Sequence, residues 1–152
     1  VLVLIVESSP FAGIIQADGN LPSQPLLAPG AAASQQSTVR MRCIRISPDS
    51  RQLCVGDQHG NLRLYDTETL KLLQLLEAHD DEVLCLDYSS VGSDGSFLAA
   101  SGSRDTLIHI YDAQRGFELL ETLDDHTAAV TALKFVSQGL ISVGGDRSII
   151  FR

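Results

Sequence analysis

The chain has 152 residues, of which 44% are hydrophobic and 20% charged, and its formal net charge is −8. That is enough chain to bury a core, and the charged fraction is too low for a disordered polyelectrolyte. An acidic chain repels phosphates, so neither nucleic acid nor an anionic membrane is an expected partner, and basic protein segments fit better.

Residues 1–37 differ in composition from the rest of the chain. The short apolar run Val1–Val6 leads into Pro10, Pro22, Pro25 and Pro29, four of the five prolines, and then into the small and polar stretch Ala31–Ser37. Such a composition buries too little apolar surface to offset the entropy of ordering. Residues 1–37 are therefore expected to be a partly disordered linker or the remnant of a preceding repeat. Val1–Val6 is either a strand of that repeat or a stray apolar end. It is too short to span a bilayer and has no basic flank or small-residue cleavage site, so it does not read as a signal peptide. A start at Val1 suggests a fragment or a processed product.

From residue 38 the sequence repeats itself. Val55-Gly-Asp-Gln-His-Gly-Asn-Leu-Arg-Leu-Tyr-Asp66 matches Ser101-Gly-Ser-Arg-Asp-Thr-Leu-Ile-His-Ile-Tyr-Asp112, and Ser142-Val-Gly-Gly-Asp-Arg-Ser-Ile-Ile-Phe-Arg152 follows the same plan. Each has small residues, a polar turn and an alternating apolar strand. Upstream of each lies another strand, at Met41–Ile46, Val83–Tyr88 and Val130–Phe135, with offsets of 42 and 47 residues. A period near 40–45 with several short strands per unit is the mark of propeller blades. The predicted fold is all-β, a partial β-propeller of about three four-stranded blades. Their expected spans are 38–77, 78–124 and 125–152, the last incomplete.

Within the first unit, Ser47-Pro-Asp-Ser50 and Asp57-Gln-His-Gly60 read as turns. The stretch Thr67–Glu77 has good helix formers and by local propensity favours a helix. The repeat overrules it, because the equivalent Phe117–Leu123 is too short for a stable helix, and both are assigned as outer strands. In the second unit the strands are expected at Val83–Tyr88, Phe97–Ser101, Leu107–Tyr111 and Phe117–Leu123, with turns over Ser89–Ser96 and Ser103–Thr106.

Cys43, Cys54 and Cys85 sit inside apolar runs and read as reduced thiols packed in a core. The cysteines and histidines show no metal-ligand spacing, and no phosphate-binding glycine loop is present, so no metal and no cofactor are expected.

These residues resemble the WD-repeat family. The markers are a dipeptide ending in His before the first strand of a blade, an Asp in the turn between the second and third strands, and an aromatic-Asp pair closing the third. They stand here as Ala78-His79, Asp105 and Tyr111-Asp112, and again as Asp125-His126 and Asp146. Tyr replaces Trp throughout, and the first unit has Ser37 and His59 where the His and the turn Asp would be. The stretches at 77–89, 103–113, 122–135 and 144–152 are further similar to the second propeller of the mitogen-activated protein kinase-binding WD-repeat scaffolds, which include a JNK-binding scaffold of spindle poles and centrosomes.

The resemblance implies a hydrogen-bonded structural tetrad at His79, Ser101, Asp105 and Tyr111, repeated without its aromatic at His126, Ser142 and Asp146. The first unit, with Val55 at the hydroxyl position, should have none. His, Ser and Asp together also suggest a hydrolase, but a triad duplicated at blade spacing on packed strands is better read as structure, so no catalytic residue is assigned. The resemblance also places Asp80, Asp81, Glu82, Arg104, Asp124 and Thr127 on one loop face, as candidate partner-binding positions. The implied function is a non-catalytic protein-interaction scaffold, a fragment of a kinase-pathway or spindle-pole protein. Its expected partners are proteins such as MAP kinases or spindle-pole components, together with further blades of its own chain. The expected location is cytoplasmic, at the cytoskeleton, centrosome or spindle pole. Alternatives are a structural propeller segment of a cytoskeletal or ciliary protein and a substrate-recruiting domain of a ubiquitin ligase. Propellers close with about 4–8 blades, so three blades alone should be open and prone to aggregate.

Overall fold

Short apolar runs punctuated by turn residues become strands throughout the computed structural model, which describes residues 39–152. The expected linker over 1–37, the Val1–Val6 strand and Ser37 lie outside the described residues. The first sheet is β1 (Met41–Ile46), β2 (Gln52–Asp57), β3 (Asn61–Asp66) and β4 (Leu72–Glu77), hydrogen-bonded in that order and antiparallel. The second is β5 (Val83–Tyr88), β6 (Leu98–Ser103), β7 (Ile108–Asp112) and β8 (Glu118–Leu123), with the same topology. The third has three strands, β9 (Val130–Val136), β10 (Gly139–Gly144) and β11 (Ile149–Phe151). Among the described residues there is no helix.

The sheets stand face to face, with the first strands as their common inner edge: β5 packs on β1 and β2, and β9 packs on β5 and β6. Between the first two sheets lies a core of Cys54, Leu62, Leu64, Val83, Leu86, Phe97 and Tyr111. Between the second and third lies another, of Cys85, Ala100, Ile108, Leu123, Val130, Leu133 and Leu140. A strand covered on both faces is buried almost continuously, as β6 is, whereas β10 alternates buried and half-buried residues. That alternation is the pattern of a sheet packed on one side only. The three cysteines are free thiols, half-buried at Cys43 and buried at Cys54 and Cys85. Loss of water pushes the Cys43 thiol up to about 12, where it is protonated and inert.

The Thr67–Glu77 stretch folds as a turn followed by β4 and not as a helix. The turn is closed by Thr69 N–H donating to Asp66 Oδ1 at 2.7 Å and by Asp66 N–H donating to the Lys71 carbonyl. β4 then half-buries Leu72, Gln74 and Leu76 and exposes Leu73, Leu75 and Glu77. Pairing with β3 gives its inward-facing backbone groups a ladder, whereas a lone two-turn helix is marginal in water.

The sheets are also joined by polar side chains. Asp87 on β5 is buried; both its oxygens accept from Lys134 Nζ at 3.0 Å, and one accepts from Phe135 N–H at 2.7 Å. Arg45 of β1 approaches the same carboxylate at 3.5 Å. Arg45, Asp87 and Lys134 occupy matching positions on β1, β5 and β9, so the inner strands carry charges that alternate in sign across both joints.

Candidate functional site

The loop entering β5 is stitched to the turns of the first two sheets, and the loop entering β9 is stitched to the turn between β10 and β11. Ala78 and His79 N–H both donate to the Gly60 carbonyl, at 3.2 and 3.0 Å. Gly60 sits at φ +84°, and a Cβ there would lie 1.9 Å from the His79 carbonyl oxygen, so only glycine fits. Three backbone bonds recur at matching places: Gln58 N–H to the Arg40 carbonyl, Arg104 N–H to the Glu82 carbonyl and Gly145 N–H to the Ala129 carbonyl.

The turn between β6 and β7 is held by an imidazole. His79 Nδ1 bonds Asp105 Oδ2 at 2.9 Å, and Nε2 bonds Ser101 Oγ at 2.7 Å. Asp105 also accepts from Asp80 N–H at 3.1 Å and Leu107 N–H at 2.9 Å. Burial works against the Asp105 charge, but these hydrogen bonds and His79 outweigh it and hold the carboxyl below its usual range. Tyr111 hydrogen-bonds His109 Nδ1 at 3.2 Å. Burial raises its phenol to about 12 against a lowering contribution from the Ser101 hydroxyl. The structure thus brings His79, Ser101, Asp105 and Tyr111 into one network.

His109, which the sequence did not single out, belongs to it. Its ring stacks on His79 with centroids 4.2 Å apart and planes 10° from parallel. Desolvation lowers His79, and the neighbouring His109 lowers it further, against the pull of Asp105.

The third sheet builds the same joint. His126 Nε2 bonds Ser142 Oγ at 2.8 Å, and Nδ1 bonds Asp146 Oδ2 at 3.1 Å. In place of an aromatic, Ser148 contributes: its hydroxyl lies 3.0 Å from His126 Nδ1 and 2.6 Å from Asp146 Oδ1. Ser148 and the Thr127 N–H hold the Asp146 carboxyl far below its usual range.

The first sheet solves the turn differently. Asp57, fully buried, accepts from His59 N–H at 2.8 Å, from Asn61 N–H at 3.0 Å and from Arg63 Nε at 3.1 Å. Its carboxylate does for the β2–β3 turn what Asp105 does for the β6–β7 turn, from a position two residues earlier. Sequence reasoning searched position 59 for an acid and so passed over Asp57. The alternating Asp57, Asn61 and Arg63 were its only signal.

A hydrolytic serine must be reached by substrate. Ser101 is 0% exposed and the His79 side chain 0%, so this His–Ser–Asp set is sealed. Among the described residues no group of three or more His, Cys, Asp or Glu side chains could hold a metal ion.

The six loop positions fall on these loops and turns but differ in availability. Asp80, Arg104, Asp124 and Thr127 are exposed, while Asp81 and Glu82 are half-buried. Glu82 is already engaged: its Oε2 accepts from Arg42 Nη2 at 2.6 Å and from Arg104 Nη2 at 2.6 Å.

Comparison with known proteins agrees with this architecture. Residues 27–91 match the family described as anaphase-promoting complex subunit 4 WD40 domain, and residues 117–151 match WD domain, G-beta repeat. The chain is 41% identical to mitogen-activated protein kinase-binding protein 1 of Homo sapiens over 97% of its own length and 10% of that protein. It is 43% identical to WD repeat-containing protein 62 of Sus scrofa over 81% of its length and 8% of that protein. It thus spans about a tenth of the length of these curated relatives. Among solved structures, it is similar to a chain in the crystal structure of the mitotic checkpoint complex, with a TM-score of 0.67 and 26% identity over 77% of this chain and 36% of that one. The structure of U3-55K matches with a TM-score of 0.64 and 26% identity, over 77% of this chain and 37% of that one.

Proposed function

The chain belongs to the WD-repeat family, and from that premise we propose that it is a non-catalytic scaffold segment whose loop face holds protein partners. One observation carries the reading. Side-chain networks centred on Asp57, His79–Asp105 and His126–Asp146 fix the turn of each sheet, in the second and third against the loop that enters the same sheet. Exposed groups on a preorganised surface bind without paying to order themselves.

Asp80, Asp124 and Thr127 supply that surface, with Asp81 at its edge, and two exposed aspartates favour a basic partner segment. Similarity to a protein named for binding mitogen-activated protein kinase supports kinase-pathway components as the partners. We further propose, on the resemblance of residues 77–89, 103–113, 122–135 and 144–152 alone, a cytoplasmic scaffold that gathers at spindle poles, which imaging of the tagged protein in dividing cells would test.

The partner surface is tested by charge reversal. Asp80→Lys together with Asp124→Lys, in the protein captured from cell extract, should deplete bound proteins by about tenfold at low salt, with a smaller effect at high salt. An unchanged set of bound proteins would rule out the loop face.

A further inference from the structure

The Arg42–Glu82–Arg104 cluster joins the first two sheets, and its charges do not balance. Two guanidiniums converge on the same oxygen of a single carboxylate, Arg42 from β1 and Arg104 from the β6–β7 turn. The side chains of Arg42 and Arg104 remain 35% and 52% exposed. Arg42 is aimed there by a bulge, since the register of β1 against β2 shifts between Met41 and Cys43. Bulges of this kind redirect a side chain out of the alternating pattern.

A clasp needed by the fold would recur at the next joint, and this one does not. The matched backbone bonds make Gly145 the counterpart of Arg104 and Ala129 the counterpart of Glu82. The bulge residue that β5 brings to that joint, between Val83 and Cys85, is Leu84. The joint between the second and third sheets therefore holds together with three neutral residues where the first has Arg, Glu and Arg. The charges at the first joint are an addition to the fold.

We infer that this cluster receives an anionic group from a partner segment, and that its ligand is a basic peptide carrying a single phosphorylated residue. The inference rests on the loop-face reading above and sharpens it. Two guanidiniums sharing one carboxylate leave a net positive charge, and a phosphate offers a dianion with several strong acceptor oxygens in place of one carboxylate oxygen. Glu82 is the internal stand-in that the ligand displaces. The aspartates beside it, Asp80 and Asp81, repel a uniformly acidic peptide and attract basic residues flanking the phosphate. The surface then reads two features at once, cationic at the joint and acidic around it.

The test uses the protein and a fluorescent peptide library with one fixed phosphoserine among degenerate Lys- and Arg-rich flanks. Matched libraries carry serine or glutamate at the fixed position. Binding is followed by anisotropy. The phosphoserine library should bind about tenfold more tightly than the serine library, with glutamate between, and inorganic phosphate should compete. Arg42→Gln and Arg104→Gln should each abolish the preference. Glu82→Gln should strengthen phosphoserine binding several-fold, a gain that a misfolded protein cannot give. The inference is overturned if phosphorylation makes no difference, if either arginine variant keeps the preference, or if Glu82→Gln leaves it unchanged. Serine-library binding that still depends on Asp80 and Asp124 would in that case leave the loop-face reading standing.

Discussion

At the scale of single residues, the stacked imidazoles make a pH prediction with a definite sign. Burial lowers both His79 and His109 from the ordinary value of 6.5. Above that value the rings are neutral in the folded and unfolded chains alike, and full stability is present. As pH falls below 6.5, the unfolded chain takes protons that the folded rings refuse, so stability declines until pH passes through the lowered folded values. The carboxylates held down at Asp57 and Asp105 act only at lower pH. Urea midpoints should therefore fall between about pH 6.5 and pH 5, and His109→Asn should flatten the slope; identical slopes would refute the assignment. A second residue-scale prediction concerns the turns between second and third strands. Gly60, Thr106 and Arg147 occupy matching positions, with φ of 84°, 78° and 69°. A β-branched residue is strained there, so Thr106→Gly should raise stability by about 1 kcal/mol in denaturant titration. The spacing of His79, Ser101 and Asp105 was legible in the sequence because it repeats at His126, Ser142 and Asp146. The left-handed turns were legible only at Gly60, since Thr106 and Arg147 carry no such signature. Asp57, His109 and Ser148 were missed because each breaks the repeat where it acts.

At the scale of strands, the joints between sheets are built from paired positions with no room to spare. Register sets Cys43 opposite Gly56, Cys85 opposite Gly102 and Ala132 opposite Val143. At the first joint a Cβ on Gly56 would fall 2.7 Å from both Cys43 Sγ and the Val83 side chain. At the second, a Cβ on Gly102 would fall 2.7 Å from Val130 and 2.8 Å from Cys85 Sγ. A thiol beside a glycine on β1–β2 and β5–β6 gives way to a methyl beside a valine on β9–β10, a bulkier pair on a sheet that among the described residues packs on β5 and β6 alone. Gly56→Ala should thus cost about 1–3 kcal/mol. Adding Cys43→Ala should recover part of the loss, because it removes the sulfur clash and leaves the one with Val83. A double-mutant cycle on unfolding midpoints measures that coupling, and strict additivity would contradict the account. This close approach was hidden in the sequence, where positions 43 and 56 are merely one cysteine and one glycine. The strands themselves were visible from their period, and for β4 the period was decisive against the leucine-rich helix signal of 67–77. The cross-joint ion pair of Arg42 and Glu82 could not be seen, because it links different repeats at positions that no repeat shares.

At the scale of the whole molecule, the far face of the third sheet decides how this stretch of chain behaves. The second sheet packs on a neighbour through each face, but among the described residues β9–β11 packs on β5 and β6 alone. Ile149 is 74% exposed and Phe151 59%, on a three-residue strand with an unpaired edge. Leu119 and Leu120 on the neighbouring edge strand β8 are each more than half exposed. An apolar sheet face beside an unpaired edge is a template for association with another chain. Repeat arrays resolve the same problem by stacking a further unit on each open face. Residues 39–152 expressed alone should therefore self-associate at micromolar concentration, seen as concentration-dependent sedimentation. Ile149→Lys with Phe151→Lys should suppress it, since charge on an open edge opposes strand pairing. The same substitutions in a longer chain that supplies the next unit should be destabilising, because they would then bury two ammonium groups without partners. Opposite signs in the two contexts would identify the face as a blade joint. A soluble, cooperative monomer of residues 39–152 would mean that three sheets are sufficient on their own.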